Sequence, residues 1–169
     1  MKNALKEFDV PFSGLKIGKH DFVFEVKQRF FENFDCEEFT DADVQVNIAL
    51  NKTSTFLELE FEIKGKVFTE CFICTENFWL IISAHKKVVV KFGEDFNDDD
   101  DELVIIPKND TSFNVAQIIY EQVVLALPSR RVHPEGECDQ EMLKAINKHR
   151  ATKEPESNPQ WDKLKNFYN

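Results

Sequence analysis

The chain has 169 residues, with 21 Lys and Arg against 31 Asp and Glu and a formal net charge of -10. That balance excludes a surface that grips nucleic acid through phosphates over its whole extent, so any cationic contact has to be local. No apolar run approaches the roughly 20 residues of a membrane helix, and the opening MKNALKEFDV lacks the apolar stretch of a secretory signal, so a cytoplasmic protein with no membrane association is expected.

Seventeen Phe against two Tyr and two Trp put most of the aromatic content in a side chain without a polar handle, which suits a packed interior. The length is right for one domain with its own core and a small appendage. In chain order, His20 to Val26 alternates with Phe22, Phe24 and Val26 on one face, as a strand does. Gln28 to Phe39 has Phe30, Phe31 and Phe34 at helical spacing and predicts a short helix.

The strongest periodicity follows. Val44, Val46, Ile48 and Leu50 alternate with polar residues, and Leu57, Leu59, Phe61 and Ile63 do so again after the connection Asn51 to Thr55. A turn at Gly65 then leads to a third strand, Val67 to Phe72. Phe78, Leu80 and Ile82 predict a fourth, and Val88 to Phe92 a fifth. The alternate residues Glu58, Glu60, Glu62 and Lys64 are polar, so one sheet face meets water and the other needs a cover.

From Glu94 to Glu102, seven of nine residues are acidic. Counted from Asp95, the sixth and twelfth positions are Asp100 and Ile106, not the Gly and Glu of a calcium loop, so a solvated loop is expected. Leu103 to Ile106 predicts a last strand. Asn114 with Gln117 has the form of a capping box, and Val115, Ile118, Ile119, Val123, Ala126 and Leu127 predict a long helix, Asn114 to Leu127, that roofs the sheet. A second helix, with Met142, Leu143 and Ile146 on one side, starts near Asp139. After the polar linker Ala151 to Asn158, Trp161, Leu164 and Phe167 share one face of a short amphipathic segment that must dock, in cis or on a partner. The chain thus divides into a domain at 1–150 and an appendage at 151–169.

Signatures of catalysis are thin. No Gly-rich phosphate loop, no Gly-x-Ser-x-Gly elbow and no paired His with an adjacent Glu occur, so an enzyme, and a small-molecule substrate, are not expected. The pair Cys71-Phe72-Ile73-Cys74 is followed by the strand-like Phe78, Leu80 and Ile82, whereas a dithiol oxidoreductase needs a helix there. Two readings stand. A zinc knuckle would take its remaining ligands from His133 and Cys138, giving one structural zinc in a Cys3His site. Alternatively, Cys71 is a small core residue and Cys74 follows it in the turn. Cationic candidates for a local RNA or partner contact are Arg130, Arg131, Lys144, Lys148 and Arg150.

The Cys71-x-x-Cys74 pair with Glu76, the acidic stretch some twenty residues on, Glu121-Gln122-Val123-Val124-Leu125-Ala126-Leu127-Pro128 and the tail Asn158-Pro159-Gln160-Trp161-Asp162-Lys163-Leu164-Lys165 together resemble the bacterial YceD family, the large ribosomal RNA subunit accumulation proteins. The resemblance spans about residues 15–168 and rests on order and spacing. It carries over Cys71, Cys74, Glu121, Leu125, Leu127 and Pro128. Ile73 and Thr75 stand where the family commonly has Arg and Leu, and Asn114 where it has Asp; of a further family Cys pair only Cys138 remains, with His133 beside it.

The resemblance implies a non-enzymatic role in accumulation of large-subunit ribosomal RNA and hence in ribosome assembly. Its partner is then ribosomal RNA, a basic ribosomal protein or a pre-ribosomal particle. The competing expectation is a zinc-stabilised protein-interaction module unrelated to ribosomes. The expected fold is α+β, a strongly curved or barrel-like antiparallel sheet of five to seven strands packed by the long helix, with C-terminal helical segments.

Overall fold

The structure, a computed structural model, describes residues 5–94, 97–100 and 103–149. Its elements in chain order are β1 (Asp9–Pro11), β2 (Gly18–Lys27), α1 (Gln28–Phe31), β3 (Asp41–Lys52), β4 (Phe56–Glu70), β5 (Asn77–Gly93), β6 (Asn97–Asp100), β7 (Leu103–Pro107), β8 (Ser112–Asn114), α2 (Ala116–Leu125) and α3 (Gln140–His149). The α+β class holds. Six strands form one sheet in the order β2-β3-β4-β5-β7-β6, and β1 pairs with β8 in a small two-stranded ribbon. The linker and amphipathic segment expected at 151–169, and Arg150, lie outside the described residues.

Several expectations change. The sheet is open, with β2 and β6 as its two edges, and is not closed into a barrel. It is mixed because β7 runs parallel to β5, while β6 pairs antiparallel with β7 on the outside. The chain therefore leaves β5, passes to the edge as β6 and returns inward as β7. The inner position goes to the strand that can use it, since Val104 and Ile106 are buried. The acidic stretch is then partly strand, and an edge is where charge is tolerated and unwanted pairing discouraged.

The five meander strands predicted between Val44 and Phe92 are three. Leu57, Leu59, Phe61, Ile63 and Val67 are all buried on one face of a single β4, and Phe78, Ile82, Val88 and Val90 on one face of a single β5. Gly65 does not turn the chain: it pairs with Val44 in mid-strand.

The roofing helix is shorter than predicted, ten residues from Ala116. Asn114 is still extended in β8 and its Oδ1 accepts the Ala116 N–H at 3.1 Å, but the N-cap is Val115 and the Gln117 side chain turns to Glu121, so the expected capping box does not form. One helix does not suffice as a cover. α2 lies against β4 and β5, and α1 against β2 and β3. The two covers meet where the Phe34 and Tyr120 rings stack at 4.4 Å. Phe8, Phe30, Phe31 and Phe39 fill the space beneath α1, and each such burial contributes about 1.5–3 kcal/mol. α3 begins where Asp139 Oδ1 accepts the Met142 N–H at 2.6 Å, and it buries none of its residues.

Candidate metal centre

The β4–β5 connection is a knuckle made by backbone hydrogen bonds. Thr75 N–H donates to Cys71 O at 2.9 Å and Cys71 N–H to Glu76 O at 3.0 Å, with Thr75 in the left-handed region at φ 62°. Ile73 N–H points at Cys71 Sγ from 3.4 Å, a donor arrangement that favours thiolate. The turn faces both sulfurs the same way because two intervening residues are all that separates them.

The segment after α2 is brought back over this knuckle. Phe72 N–H donates to Arg131 O at 2.8 Å. The Arg131 guanidinium is only 15% exposed; it pairs with the Glu38 carboxylate, donates to Glu38 O, and reaches Thr69 Oγ1 at 3.2 Å. Two residues on, the His133 ring lies 4.4 Å from the Phe78 ring, packed against the start of β5. A turn closed by Glu137 N–H to Pro134 O, with Gly136 at φ 89°, returns Cys138 to the same point.

Four donors converge there. Cys71 Sγ and Cys138 Sγ are 3.8 Å apart, Cys74 Sγ lies 3.3 Å from His133 Nδ1, and Cys138 Sγ lies 3.8 Å from the same nitrogen. All four ligand atoms fall within 4.8 Å of one another. With metal–sulfur and metal–nitrogen bonds near 2.3 and 2.0 Å, donors at the corners of a tetrahedron stand roughly 3.5–3.8 Å apart, so the separations of 3.3–3.8 Å are close to those of donors sharing one four-coordinate ion. Cys71 is buried beside Cys74 and Phe78, as the core reading had it, and its sulfur also faces the other three donors. A Cys3His cluster that can hold a metal ion is present.

Electrostatics agree with the donor set. Burial works against ionising Cys71, yet the backbone N–H groups of Cys74, His133 and Ile73 and the His133 ring together bring its thiol down to about 6. Cys138 goes the other way, pushed up to about 11 by desolvation and by the facing Cys71 and Cys74 sulfurs. Three sulfurs in one place cannot all carry charge unless a cation joins them. Cys36 stands apart beneath the α1 side, its thiol raised by burial.

The cationic candidates divide. Arg130 is exposed and so are Lys144 and Lys148 on α3, whereas Arg131 is committed to the Glu38 clasp. Arg150, Trp161, Leu164 and Phe167 lie outside the described residues. Sequence reasoning missed Glu38 and Thr69, which hold Arg131 from far along the chain and carry no local signal. Asp139 as the cap of α3 was legible, since it directly precedes the helical pattern.

Residues 59–168 match the family described as large ribosomal RNA subunit accumulation protein YceD, a match covering more than half of the chain from within β4 onward. No curated protein and no solved structure matches.

Proposed function

The chain belongs to the YceD family of large ribosomal RNA subunit accumulation proteins, and from that membership we propose that it is a non-catalytic accessory factor in assembly of the large ribosomal subunit. It acts by binding ribosomal RNA with a short cationic segment on an otherwise acidic body. Arg130, Lys144 and Lys148 contact phosphates, and one zinc ion bound by Cys71, Cys74, His133 and Cys138 fixes the segment to the sheet. Zinc is the metal named because a closed set of three thiolates and one imidazole at tetrahedral spacing is its usual structural site.

The observation that carries this reading is the adjacency of Cys138 and Asp139. The last metal ligand is followed at once by the residue whose carboxylate caps α3. Of α3 only Leu143 and Ile146 are even half-buried, so the helix has little packing to orient it and its direction is taken from the ligand before it. The zinc is then part of how a ribosome-linked protein presents its cations, and a zinc module with no link to ribosomes is disfavoured by the family assignment.

The test is a gel shift and co-sedimentation with pre-ribosomal particles at low salt. Charge reversal in Arg130→Glu, Lys144→Glu and Lys148→Glu together is expected to abolish the shift, and each single variant to lower the salt slope by about 0.7 per phosphate contact removed. Unchanged RNA binding in the triple variant overturns the proposal. The competing partner, a basic ribosomal protein drawn to Glu94–Glu102, has one observation in its favour: Asp98 to Asp100 lie in the edge strand β6. It predicts the opposite sensitivity, with loss of particle binding when these three aspartates become Asn and indifference to α3 charge.

A further inference from the structure

At the end of the sheet far from the Cys3His cluster, three connections and a strand end surround an open cleft of about 810 Å³. They are the β1–β2 loop, the β3–β4 turn, the end of β5 and the β7–β8 turn. The volume lies within the roughly 300–1,000 Å³ of small-molecule clefts. Its floor is aromatic: the Phe12 and Phe92 rings meet at 5.6 Å, and Ile17 stands 71% exposed beside them. The walls carry donors, namely the Lys52 and Lys108 ammonium groups and the Ser54 and Thr55 hydroxyls. On a chain of net charge -10, the described residues that line this cleft include two cations, Lys52 and Lys108, and one carboxylate, Asp110.

The walls are held before any ligand arrives. Lys52 Nζ donates to Phe12 O at 2.7 Å and to Leu15 O at 2.9 Å, pinning the β1–β2 loop across the sheet end. That uses two of its three N–H donors and leaves one uncommitted among the described residues. Thr53 Oγ1 closes the β3–β4 turn by accepting the Phe56 N–H at 3.0 Å and donating to Phe56 O at 2.7 Å. Phe12 and Ser13 N–H groups both donate to Thr111 O, tying the same loop to the approach of β8. A ligand entering here meets groups whose ordering has already been completed by folding.

An apolar aromatic floor calls for a planar ring, and ammonium and hydroxyl donors on the walls call for an anion with several acceptor oxygens. We infer that this cleft binds a nucleotide, with the base against Phe12 and Phe92 and the phosphate between Lys108, Lys52 and the Ser54 and Thr55 hydroxyls. That chemistry has two sources, a free mononucleotide or an unpaired residue of an RNA strand. The inference rests on the cleft alone, and it stands or falls separately from the role given to α3.

The experiment titrates the full chain at low salt with AMP, adenosine, inorganic phosphate, a single-stranded RNA oligonucleotide and an RNA duplex. Saturable binding of AMP that exceeds both adenosine and phosphate is the result expected of a free-nucleotide site. Binding of the single strand in preference to the duplex, without AMP binding, assigns the same cleft to unpaired RNA. In either case Lys108→Glu is expected to weaken binding about tenfold or more, and Asp110→Asn to tighten it a few-fold. The two opposite signs separate a binding role from damage to the fold, since both residues are exposed. The inference is overturned if neither AMP nor the single strand binds, or if binding ignores both substitutions.

Discussion

The Cβ that Gly65 lacks would sit 2.4 Å from the carbonyl oxygen of Asp43 and 2.6 Å from the Cα of Val44. No side chain fits between β3 and β4 at this point, and the obstruction is backbone on the central strands, which cannot swing away. Gly65→Ala is therefore expected to destabilise the fold by about 3 kcal/mol or more, at the upper end of overpacking effects. Urea unfolding checks it: the midpoint should fall with the slope unchanged. A midpoint within error of the wild type would mean that β3 and β4 do not approach as closely as the structure has them.

Gly65 also marks the limit of what the pattern of residues could tell. Read as punctuation, it splits β4 in two. Yet the apolar positions on its two sides, Ile63 and Val67, keep the same parity, and a turn would have had no reason to preserve it. The same holds for Ile82 and Val88 across the polar stretch of β5, where Lys86 occupies an inward position without breaking the strand. The parallel pairing of β7 was illegible for a different reason. Leu103 to Ile106 is a short apolar run, and such a run states that a strand is buried without stating its direction. Cys71, Cys74, His133 and Cys138 could be grouped in advance because few residue types bind a soft cation. Glu38, 93 positions from Arg131, could not, because a Glu in a loop is ordinary until its partner arrives.

Metal binding makes an arithmetic prediction about the four thiols. Three of them belong to the Cys3His cluster and one, Cys36, lies elsewhere. With zinc bound, titration of the native protein with a thiol reagent should leave Cys71, Cys74 and Cys138 protected, and chelation should release all three. Cys138→Ser and His133→Ala are each expected to lower zinc stoichiometry or affinity sharply, with Cys36→Ser having no effect on either. Because imidazole and thiols must lose protons to ligate, zinc should also be lost on acidification and its binding should release protons. Full zinc retention in Cys138→Ser would remove Cys138 from the site.

Neighbouring arginines separate structure from binding. Arg131 is held against Glu38 and Thr69, whereas Arg130 projects into water. Arg131→Ala should cost about 1–2 kcal/mol, less than a fully buried pair because the Glu38 side chain is 49% exposed. Arg130→Glu should leave thermal stability unchanged and weaken RNA binding. If the two variants exchange these effects, the clasp is not the role of Arg131.

Asp139 tests whether the helix is presented from its capped end. The carboxylate accepts the Met142 N–H and lies beside the positive end of α3. Replacing it removes about 1 kcal/mol of helix stabilisation from an element that buries nothing and has little else to hold it. Asp139→Ala should therefore reduce helical circular dichroism and weaken RNA binding, while zinc stoichiometry stays at that of the wild type because no ligand is touched. Asp139→Asn keeps an acceptor at the cap and should restore most of the helix and of the binding. A variant with a melted α3 and unaltered RNA affinity would show that Lys144 and Lys148 do not need a helix to act, and that the adjacency of Cys138 to the cap has no part in function.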